Sequence, residues 1–600
     1  MCASALSFMV VACVLLAFVG GCRSTLGPRI VGAKGDELSL SGEIPAAGLA
    51  EIWHDGEMVG FARIGEDGTV KRVLGRAPKG AVLRPVGMPP CRAVVLAPSS
   101  DHPAIGELQA LFHDSLHVTL TPAEFAQALR EKPNAAIALA DPGASALASA
   151  PAGVRIVCSL QAYAAARGLT PIRHRVPARP SMKIVQPAPW LAGISVGQEL
   201  PWYGTEKESF LQQSLSQDCL PAGAQVHAVS TIDRQPIMLA EPLPGGGCLM
   251  ALDLESPNGK PGYDRGSKYK WHFLTRLLDP RPFYGVFTPV KPSFEEYVKS
   301  LRDLTERHPG RLTIVEVGRG AAGDPVYSAR LGREGAPRFV LSGCVHGGEI
   351  QNAYGLRRLI EVLLENPGND PRISSLLARY GVEVLPIVNA WGYLHGHQVN
   401  SRDCDLNRNF DYCWQEYKGD GGWRAKYKPE VLRGAAPFSE GEARGLRDRL
   451  LDGKLAGYVD FHQHEMQHGY MLCLPHKPVQ RETQTFLFLH ELLNARLAGR
   501  YLFGAEKGDA ALLPGGPEGA SHKRAASPFP AHALQLTVNK TGSAVPFAQN
   551  WAAAQGIPTC LFELPGGFED SLMLSDILVQ EALNVMWTLD AQRQEQKELN

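Results

Sequence analysis

Apolar and polar positions divide the chain into three successive patterns. The first covers residues 28–88, where short apolar runs alternate with Gly-Asp, Asp-Gly and Pro turns. Asp55-Gly56 and Glu66-Asp67-Gly68 are hairpin signals between such runs. This pattern predicts a small β-domain, which we place at residues 23–90.

The second pattern, in residues 91–280, alternates strand-like and helix-like runs. Arg92–Ala97 and Val154–Cys158 are short apolar runs typical of buried strands, and Ala123–Glu131 has helical spacing. The alternation predicts an α/β layer domain. At its end, Pro236–Asp253 is expected to form two strands around a Gly-rich turn.

The third pattern follows a Pro-rich junction at residues 279–282. Apolar residues recur at helical spacing in Ser293–His308, and strands and helices then alternate to the end of the chain. We predict a second α/β domain at residues 288–592. The stretch Gly504–Pro530 has little periodicity and is expected to be a long surface loop, with a lid over a site as an alternative role.

The N-terminus resembles a bacterial lipoprotein signal. An uncharged apolar run, Ala5–Val19, ends in Gly20-Gly21-Cys22, so residues 1–22 would form the signal and Cys22 would carry lipid. Because no Lys or Arg precedes the run, an uncleaved anchor helix or an ordinary signal peptide stays open. We expect an exported protein of the bacterial cell envelope, lipid-anchored or periplasmic.

Charge and hydropathy exclude two classes of protein. The 60 Lys and Arg residues balance 61 Asp and Glu residues, which gives a net charge of −1. Nucleic acid is therefore not an expected partner, since a large nucleic-acid surface needs an excess of basic residues. A long apolar run occurs only at the N-terminus, so a polytopic membrane protein is excluded. Any membrane contact would be through the N-terminal lipid or anchor.

The cysteines raise one functional question. Of the twelve, nine remain outside residues 1–22, and the absence of any CxxC pair does not support a structural zinc finger. Residues 236–253 resemble the closing hairpin of glutamine-amidotransferase-like domains, in which a nucleophilic Cys lies between a strand and a helix, as Cys158 does here. No partner His and Glu follow at a recognisable spacing, so a degenerate accessory domain is the alternative.

Four segments of the third pattern place polar residues at the end of an apolar strand, where ligands bind in open α/β sheets. In the first, Arg338–Val345 leads into His346-Gly347-Gly348-Glu349 and a helical pattern. A His and a Glu in such a turn can face one metal ion. A helix-capping Glu beside an exposed His would give the same motif.

The second segment follows the strand Val382–Val388 and contains Asn407 and Arg408. The guanidinium of Arg408 offers a fork that matches a carboxylate, although pairing with Asp405 or Asp411 is the alternative.

The third and fourth segments add a histidine and a glutamate. The strand Gly457–Phe461 ends in His462, and the apolar strand Ile557–Pro565 contains Glu563. Burying a carboxylate there is costly unless it is paired or functional, while a Glu at a solvated sheet end is the alternative.

Taken in order, these motifs resemble those of the zinc carboxypeptidase family M14, over about residues 288–592. The motifs are His346-Gly347-Gly348-Glu349, Asp405-Leu406-Asn407-Arg408-Asn409-Phe410, Asp460-Phe461-His462 and Phe562-Glu563-Leu564. The predicted fold class is α/β: a C-terminal zinc-carboxypeptidase-like mixed sheet flanked by helices, preceded by a small β-domain and a second α/β domain.

The resemblance implies a role for each motif residue. It implies one Zn²⁺ per chain held by His346, Glu349 and His462. It implies that Glu563 is the general base of hydrolysis. A peptide or small amide substrate would place its free carboxylate against two further residues, Asn407 and Arg408.

Two positions depart from the family pattern. The family often carries an Arg before the Asn-Arg pair, where this chain has Gln398, and the nearby Arg402 is a candidate substitute in substrate binding. The family also commonly has a Tyr upstream of the catalytic Glu. No Tyr lies between Leu502 and Glu563, and Phe547 occupies this region. The preference for a peptide C-terminus is therefore open.

Three functions are weighed. The first is a zinc-dependent metallocarboxypeptidase. The second is an aspartoacylase-like zinc deacylase of N-acyl amino acids, which the segment 403–408 also resembles. The third is a non-catalytic peptide- or glycan-binding protein, against which Glu563 argues because a binder has no use for a general base.

Overall fold

A computed structural model describes residues 28–599 apart from interspersed segments. The segments left out are 46, 87–92, 103–104, 106–107, 109–115, 132, 134, 149, 177–180, 202–209, 253–275, 277–280, 289–290, 367, 420–421, 465–470, 498–535, 540–541 and 566–570. The predicted signal (residues 1–22) and the predicted loop Gly504–Pro530 lie outside the described residues. Within the described part of the chain, no helix is both long and apolar enough to cross a bilayer.

Six N-terminal strands close into a small antiparallel barrel. They are β1 Arg29–Lys34, β2 Glu37–Ser41, β3 Gly48–His54, β4 Glu57–Ile64, β5 Val70–Gly75 and β6 Val82–Pro85, in the spatial order β1-β2-β5-β4-β3-β6. Asp55 and Gly56 both have positive φ, which is the backbone that a two-residue hairpin turn between β3 and β4 requires. The predicted small β-domain is confirmed.

A nine-stranded mixed sheet follows, in the order β13-β12-β15-β16-β17-β10-β9-β7-β8, beside the pair β11-β14. The strands are β7 Ala93–Leu96, β8 Leu116–Thr119, β9 Ala135–Ala138, β10 Arg155–Ser159, β11 Ile172–Val176, β12 Ser181–Ile184, β13 Glu199–Pro201, β14 Phe210–Ser214, β15 Gln225–Ser230, β16 Pro236–Pro242 and β17 Cys248–Leu252. The helices are α1 Pro122–Arg130, α2 Gly143–Ala148 and α3 Leu160–Arg167. As predicted, β16 and β17 form an antiparallel pair.

Cys158 is fully buried in β10, the strand that directly precedes α3. Burial raises the pKa of its thiol far above the ordinary range. The side chain therefore lacks the thiolate that a nucleophile needs. This geometry favours a packing role for Cys158.

The C-terminal half is built on an eight-stranded mixed sheet, in the order β18-β19-β21-β20-β22-β25-β23-β24. The strands are β18 Leu312–Arg319, β19 Pro325–Gly332, β20 Arg338–Gly343, β21 Gly381–Leu385, β22 Leu455–His464, β23 Met471–Cys473, β24 Thr537–Asn539 and β25 Thr559–Pro565. The helices are α4 Phe294–Arg307, α5 Gln351–Glu365, α6 Pro371–Arg379, α7 Ala390–His395, α8 Pro429–Leu432, α9 Gly441–Leu451, α10 Thr483–Leu497, α11 Ala548–Ala554 and α12 Ser571–Leu599. The predicted α/β fold class, with a mixed sheet flanked by helices, is confirmed.

The centre of this sheet positions the predicted site. Strands β20, β22 and β25 are parallel neighbours, so their carboxyl ends share one edge. The register pairs Ser342 with Asp460, and His462 with Glu563. Three of the four predicted motifs therefore meet at this edge.

The barrel is docked on the C-terminal half through a shared apolar core and one buried ion cluster. Trp53, Met58 and Phe61 of the barrel belong to the same buried cluster as the inner face of α12. Glu51 accepts hydrogen bonds from Trp53 Nε1 at 2.7 Å and from Arg372 Nη1 at 2.8 Å, and it also pairs with Arg496. Burial disfavours the charged carboxylate, but the two guanidiniums outweigh it and lower the pKa of Glu51 to about 2.

We expect Glu51→Gln to lower stability and to remove part of its pH dependence. The folded-state pKa lies below the ordinary value of 4.5, so the contribution is complete above about pH 5 and is lost as the pH falls towards 2. A shift of this size corresponds to about 3 kcal/mol at pH 7. Thermal unfolding measured from pH 7 to pH 2 should show a lower midpoint at pH 7 and a flatter acid limb.

Glu57→Gln is the matched control, because the Glu57 side chain is 53% exposed and lies 3.5 Å from Arg379 across the same interface. An exposed pair of this kind contributes little. Equal unfolding of both variants at every pH would show that the buried cluster carries no stability.

Candidate metal centre

Three side chains converge at the shared strand edge. His346 follows β20, Glu349 lies in the turn before α5, and His462 lies near the end of β22. Between the first two, a Cβ on Gly347 would come within 2.2 Å of the backbone of Gly392. Glycine is therefore required for this turn to bring its imidazole and carboxylate together.

The facing atoms of the three side chains are close enough for one ion. His346 Nδ1 lies 2.8 Å from Glu349 Oε1, and His462 Nδ1 lies 3.2 Å from Glu349 Oε2. The two Nδ1 atoms are 3.2 Å apart. Of the described residues, these three form the group of donors that could hold a metal ion, with all ligand atoms within 4.8 Å of one another and all three residues buried.

The carboxylates around His346 and His462 favour a positive charge between the two rings. Burial opposes charging of both rings, but Asp405 and Glu349 raise the pKa of His346, and Asp460 and Glu349 raise the pKa of His462 well above its usual range. In spite of burial, the imidazoles lower the pKa of Glu349 to about 2. Protons on both Nδ1 atoms, 3.2 Å apart, would repel each other, and a divalent cation can replace both protons. Two His and one Glu, with a position left for water or substrate, are a donor set typical of catalytic zinc, so the group fits one zinc ion.

Two buried aspartates hold the outer edges of the rings. Asp405 Oδ1 lies 3.0 Å from His346 Nε2, and Asp460 Oδ2 lies 3.1 Å from His462 Nε2. Ser342 also donates to Asp460 at 2.6 Å. With hydrogen on Nε2, each ring presents the lone pair of Nδ1 to the centre, which is the tautomer that a metal requires.

Glu563 lies beside His462 on the neighbouring strand, in direct register. The side chain is partly buried. Burial and the charge of Glu349 raise the pKa of Glu563 to about 7, against the opposing effect of the histidines. A carboxylate poised near neutral pH can both take and return a proton.

Asn407 lies beside His462, and Arg408 lies 3.8 Å from Asp405. Asn407 Nδ2 lies 3.4 Å from His462 Nε2, and its Oδ1 accepts a hydrogen bond from the Ala548 amide at the start of α11. The Arg408 guanidinium lies 4.6 Å from the ring centre of Phe547 and 5.7 Å from that of Tyr417. The Arg408 side chain is only 4% exposed, so solvent competes weakly for its fork.

Arg402 and Gln398 lie elsewhere. The Arg402 side chain is 63% exposed and lies 3.9 Å from Glu440 rather than at the histidines. The Gln398 carbonyl accepts a weak hydrogen bond from Asn389 at 3.4 Å. The structure thus offers no contact of Arg402 with the three converging side chains.

Sequence reasoning gave no role to Asp460, although it belongs to the Asp460-Phe461-His462 motif, and missed Arg424. Asp460 is two positions before His462 on one strand, and this period-two spacing could have revealed it. Arg424 donates from Nε to Asp405 Oδ2 at 2.7 Å, although it lies outside every motif. No sequence signal marks Arg424.

Comparison with known proteins agrees with this geometry. Residues 297–485 match the family model for the zinc carboxypeptidases. The chain contains a zinc carboxypeptidase domain. The match supports a metallopeptidase hydrolase in this part of the chain, and the amidotransferase resemblance of residues 91–280 stays a prediction.

Relatives of the zinc carboxypeptidase domain are distant. Mast cell carboxypeptidase A of Rattus norvegicus is 24% identical over 225 residues, which are 34% of this chain and 53% of that protein. Carboxypeptidase B of Astacus astacus is 23% identical over 190 residues, 28% of this chain and 60% of that protein. The chain spans about half the length of the curated relatives it matches first.

Among solved structures, the carboxypeptidase A of Helicoverpa armigera covers 51% of this chain and 75% of its own, at 18% identity and a TM-score of 0.36. A metallo-carboxypeptidase of Burkholderia cenocepacia covers 49% of this chain and 69% of its own, at 18% identity and a TM-score of 0.33.

We expect about one zinc ion per purified chain and loss of most of it in His462→Ala, because two donors hold zinc far less tightly than three. Inductively coupled plasma mass spectrometry gives the ratio. His397→Ala is the control, since His397 is exposed although its carbonyl binds the Gly348 amide of the same turn. Equal zinc in both variants would contradict the assignment.

Proposed function

We propose that the zinc carboxypeptidase domain hydrolyses a peptide or amide bond next to a free carboxylate. The observation that carries the proposal is the register of Glu563 with His462, which puts a proton acceptor beside the His-Glu-His group. When bound, zinc supplies Lewis acidity, which lowers the pKa of water and polarises a carbonyl group. We propose His346, Glu349 and His462 as its ligands.

Glu563 acts as the general base in this proposal. Its carboxylate accepts a proton from the attacking water and then delivers it to the leaving amine nitrogen, so the side chain returns to its starting state. Partial burial supports the role, because a desolvated carboxylate is a stronger base than one in water. The backbone of β25 fixes the position of Glu563 against β22.

Arg408 and Asn407 hold the substrate carboxylate. The contacts of Arg408 with Phe547 and Tyr417 keep the guanidinium in a fixed plane, and its low exposure strengthens pairing with an anion. Binding the carboxylate there would place the neighbouring amide over the zinc site. The zinc carboxypeptidase family acts on peptides with a free C-terminus, and this chemistry agrees with a peptide or small amide substrate.

Two wider parts of the proposal rest on the sequence. The apolar run before Cys22 supports export to a bacterial cell envelope, with membrane contact only through an N-terminal lipid or anchor. Residues 91–280 are proposed as an accessory, amidotransferase-like domain. The burial of Cys158 agrees with a domain of this kind that has no nucleophile.

Glu563→Gln should reduce hydrolysis by about 10²- to 10⁴-fold, because glutamine cannot accept the proton. The rate is measured on a mixed peptide library, with zinc content determined on the same sample. Glu306→Gln, at an exposed position of α4, is the control. Wild-type activity in Glu563→Gln would show that Glu563 is not the general base.

Arg408→Lys should raise KM by at least about tenfold for substrates with a free carboxylate, because lysine cannot form the two parallel hydrogen bonds of the guanidinium fork. Paired peptides that differ only in a C-terminal amide are the test, and wild type should cleave only the free acid. Cleavage of N-acyl amino acids but not of peptides would favour the aspartoacylase-like alternative. Zinc without cleavage of either would favour the binding protein.

A further inference from the structure

Arg424 contacts the metal centre although it belongs to none of the four sequence motifs. It lies in a short 3-10 helix, Gly422–Lys426, which belongs to the excursion between the Asn407-Arg408 motif and β22. Its Nε donates to Asp405 Oδ2 at 2.7 Å, and its Nη2 lies 3.4 Å from His346 Nε2. The side chain is 17% exposed.

Asp405 is the link between Arg424 and the site. The carboxylate is fully buried, and its two oxygens face different partners. Oδ1 faces His346 Nε2 at 3.0 Å and accepts a hydrogen bond from the Asn407 amide at 3.0 Å. Oδ2 faces Arg424 Nε at 2.7 Å, with Arg408 further away at 3.8 Å. Because each oxygen has a close partner, the plane of the carboxylate is fixed from both ends.

The orientation of Asp405 in turn fixes that of His346. Nδ1 of the ring faces Glu349 and His462, so with zinc bound at Nδ1 the hydrogen would be on Nε2 and donated to Asp405. A carboxylate free to rotate would hold neither the ring plane nor the tautomer.

We propose that Arg424 is a positioning residue of the metal centre, which locks Asp405 and through it the zinc-facing orientation of His346. The inference rests on the proposed function, since it takes His346 as a zinc ligand. The geometry supports this role, because Nε and Nη2 of Arg424 lie beside Asp405 and Nε2 of His346, at the edge of the ring away from Glu349. Retention of zinc then depends on residues 422–426.

The experiment measures zinc affinity directly, by competition with a chromophoric chelator on the full chain. Arg424→Gln should weaken zinc binding by about 10- to 100-fold, as expected when a partner of a metal ligand is lost. Arg424→Lys keeps the charge but not the fork, so its affinity should fall between those of wild type and Arg424→Gln. Thermal unfolding of the zinc-free proteins measures the stability lost when buried Asp405 loses a partner. Arg424→Lys, which keeps the charge, should lose less stability than Arg424→Gln yet still bind zinc more weakly than wild type, which separates positioning from a general loss of stability.

A double-mutant cycle tests the link through Asp405. If Arg424 acts through that carboxylate, Asp405→Asn combined with Arg424→Gln should lose little more zinc affinity than Asp405→Asn alone. Additive losses would show that Arg424 acts by another route and would overturn the proposal. Arg319→Gln is the matched control, since Arg319 also pairs with a carboxylate, Glu316 at 2.6 Å, but on the edge strand β18.

The outcomes separate this inference from the proposed function. Zinc affinity of Arg424→Gln within about twofold of wild type, with a lower kcat, would place Arg424 against substrate and overturn the positioning role. Weaker zinc binding in Arg424→Gln, together with no hydrolysis by wild type, would support the inference while the proposed function fails.

Discussion

The metal centre depends on two hydrogen bonds made on the outer edges of its imidazole rings. Asp405 and Asp460 face Nε2 of His346 and His462, and this turns both Nδ1 atoms towards Glu349. Each aspartate is fully buried, which would be costly for an isolated charge. The cost is offset because each carboxylate is paired with a ring and with further donors, which are Arg424 and the Asn407 amide for Asp405 and Ser342 for Asp460. The donor set is therefore preorganised before any ion arrives.

A parallel sheet makes this arrangement possible. Neighbouring parallel strands bring their carboxyl ends to one edge of the sheet. The register between two strands, set to within one residue, then decides which side chains are adjacent. On β22, Asp460 and His462 share a face, and the same register puts Glu563 of β25 beside His462. One strand pairing thus fixes the distance between a predicted ligand, its partner and the predicted base. A slip by one residue would turn Glu563 to the opposite face.

Most of the site could be predicted from the sequence because its residues end apolar strands. His346, His462 and Glu563 interrupt or end apolar runs, where burying a polar side chain is costly unless it is paired or functional. Arg402 was predicted as a substitute for the Arg that the resembled family often carries before the Asn-Arg pair, and its side chain is exposed and lies by Glu440. Arg424 lies in a segment with no hydrophobic periodicity, and it contacts the site only because the chain folds back onto Asp405. Sequence spacing gives no information about such a contact.

Contacts between distant parts of the chain were also not predictable from the sequence. Turn residues and short apolar runs were enough to predict a small β-domain, but not its closure into a barrel. Glu51 in β3 gives no sign in the sequence that it is buried against Arg372 and Arg496. These contacts join the barrel to helices that pack against α12, and α12 is the next described element after β25, which carries Glu563. Backbone amides of the linker preceding α4 also bind Ser571 and Asp576 of α12. Since α12 packs against the strand of the proposed base and contacts both the barrel and the linker, the barrel and the linker are structural components of the C-terminal half.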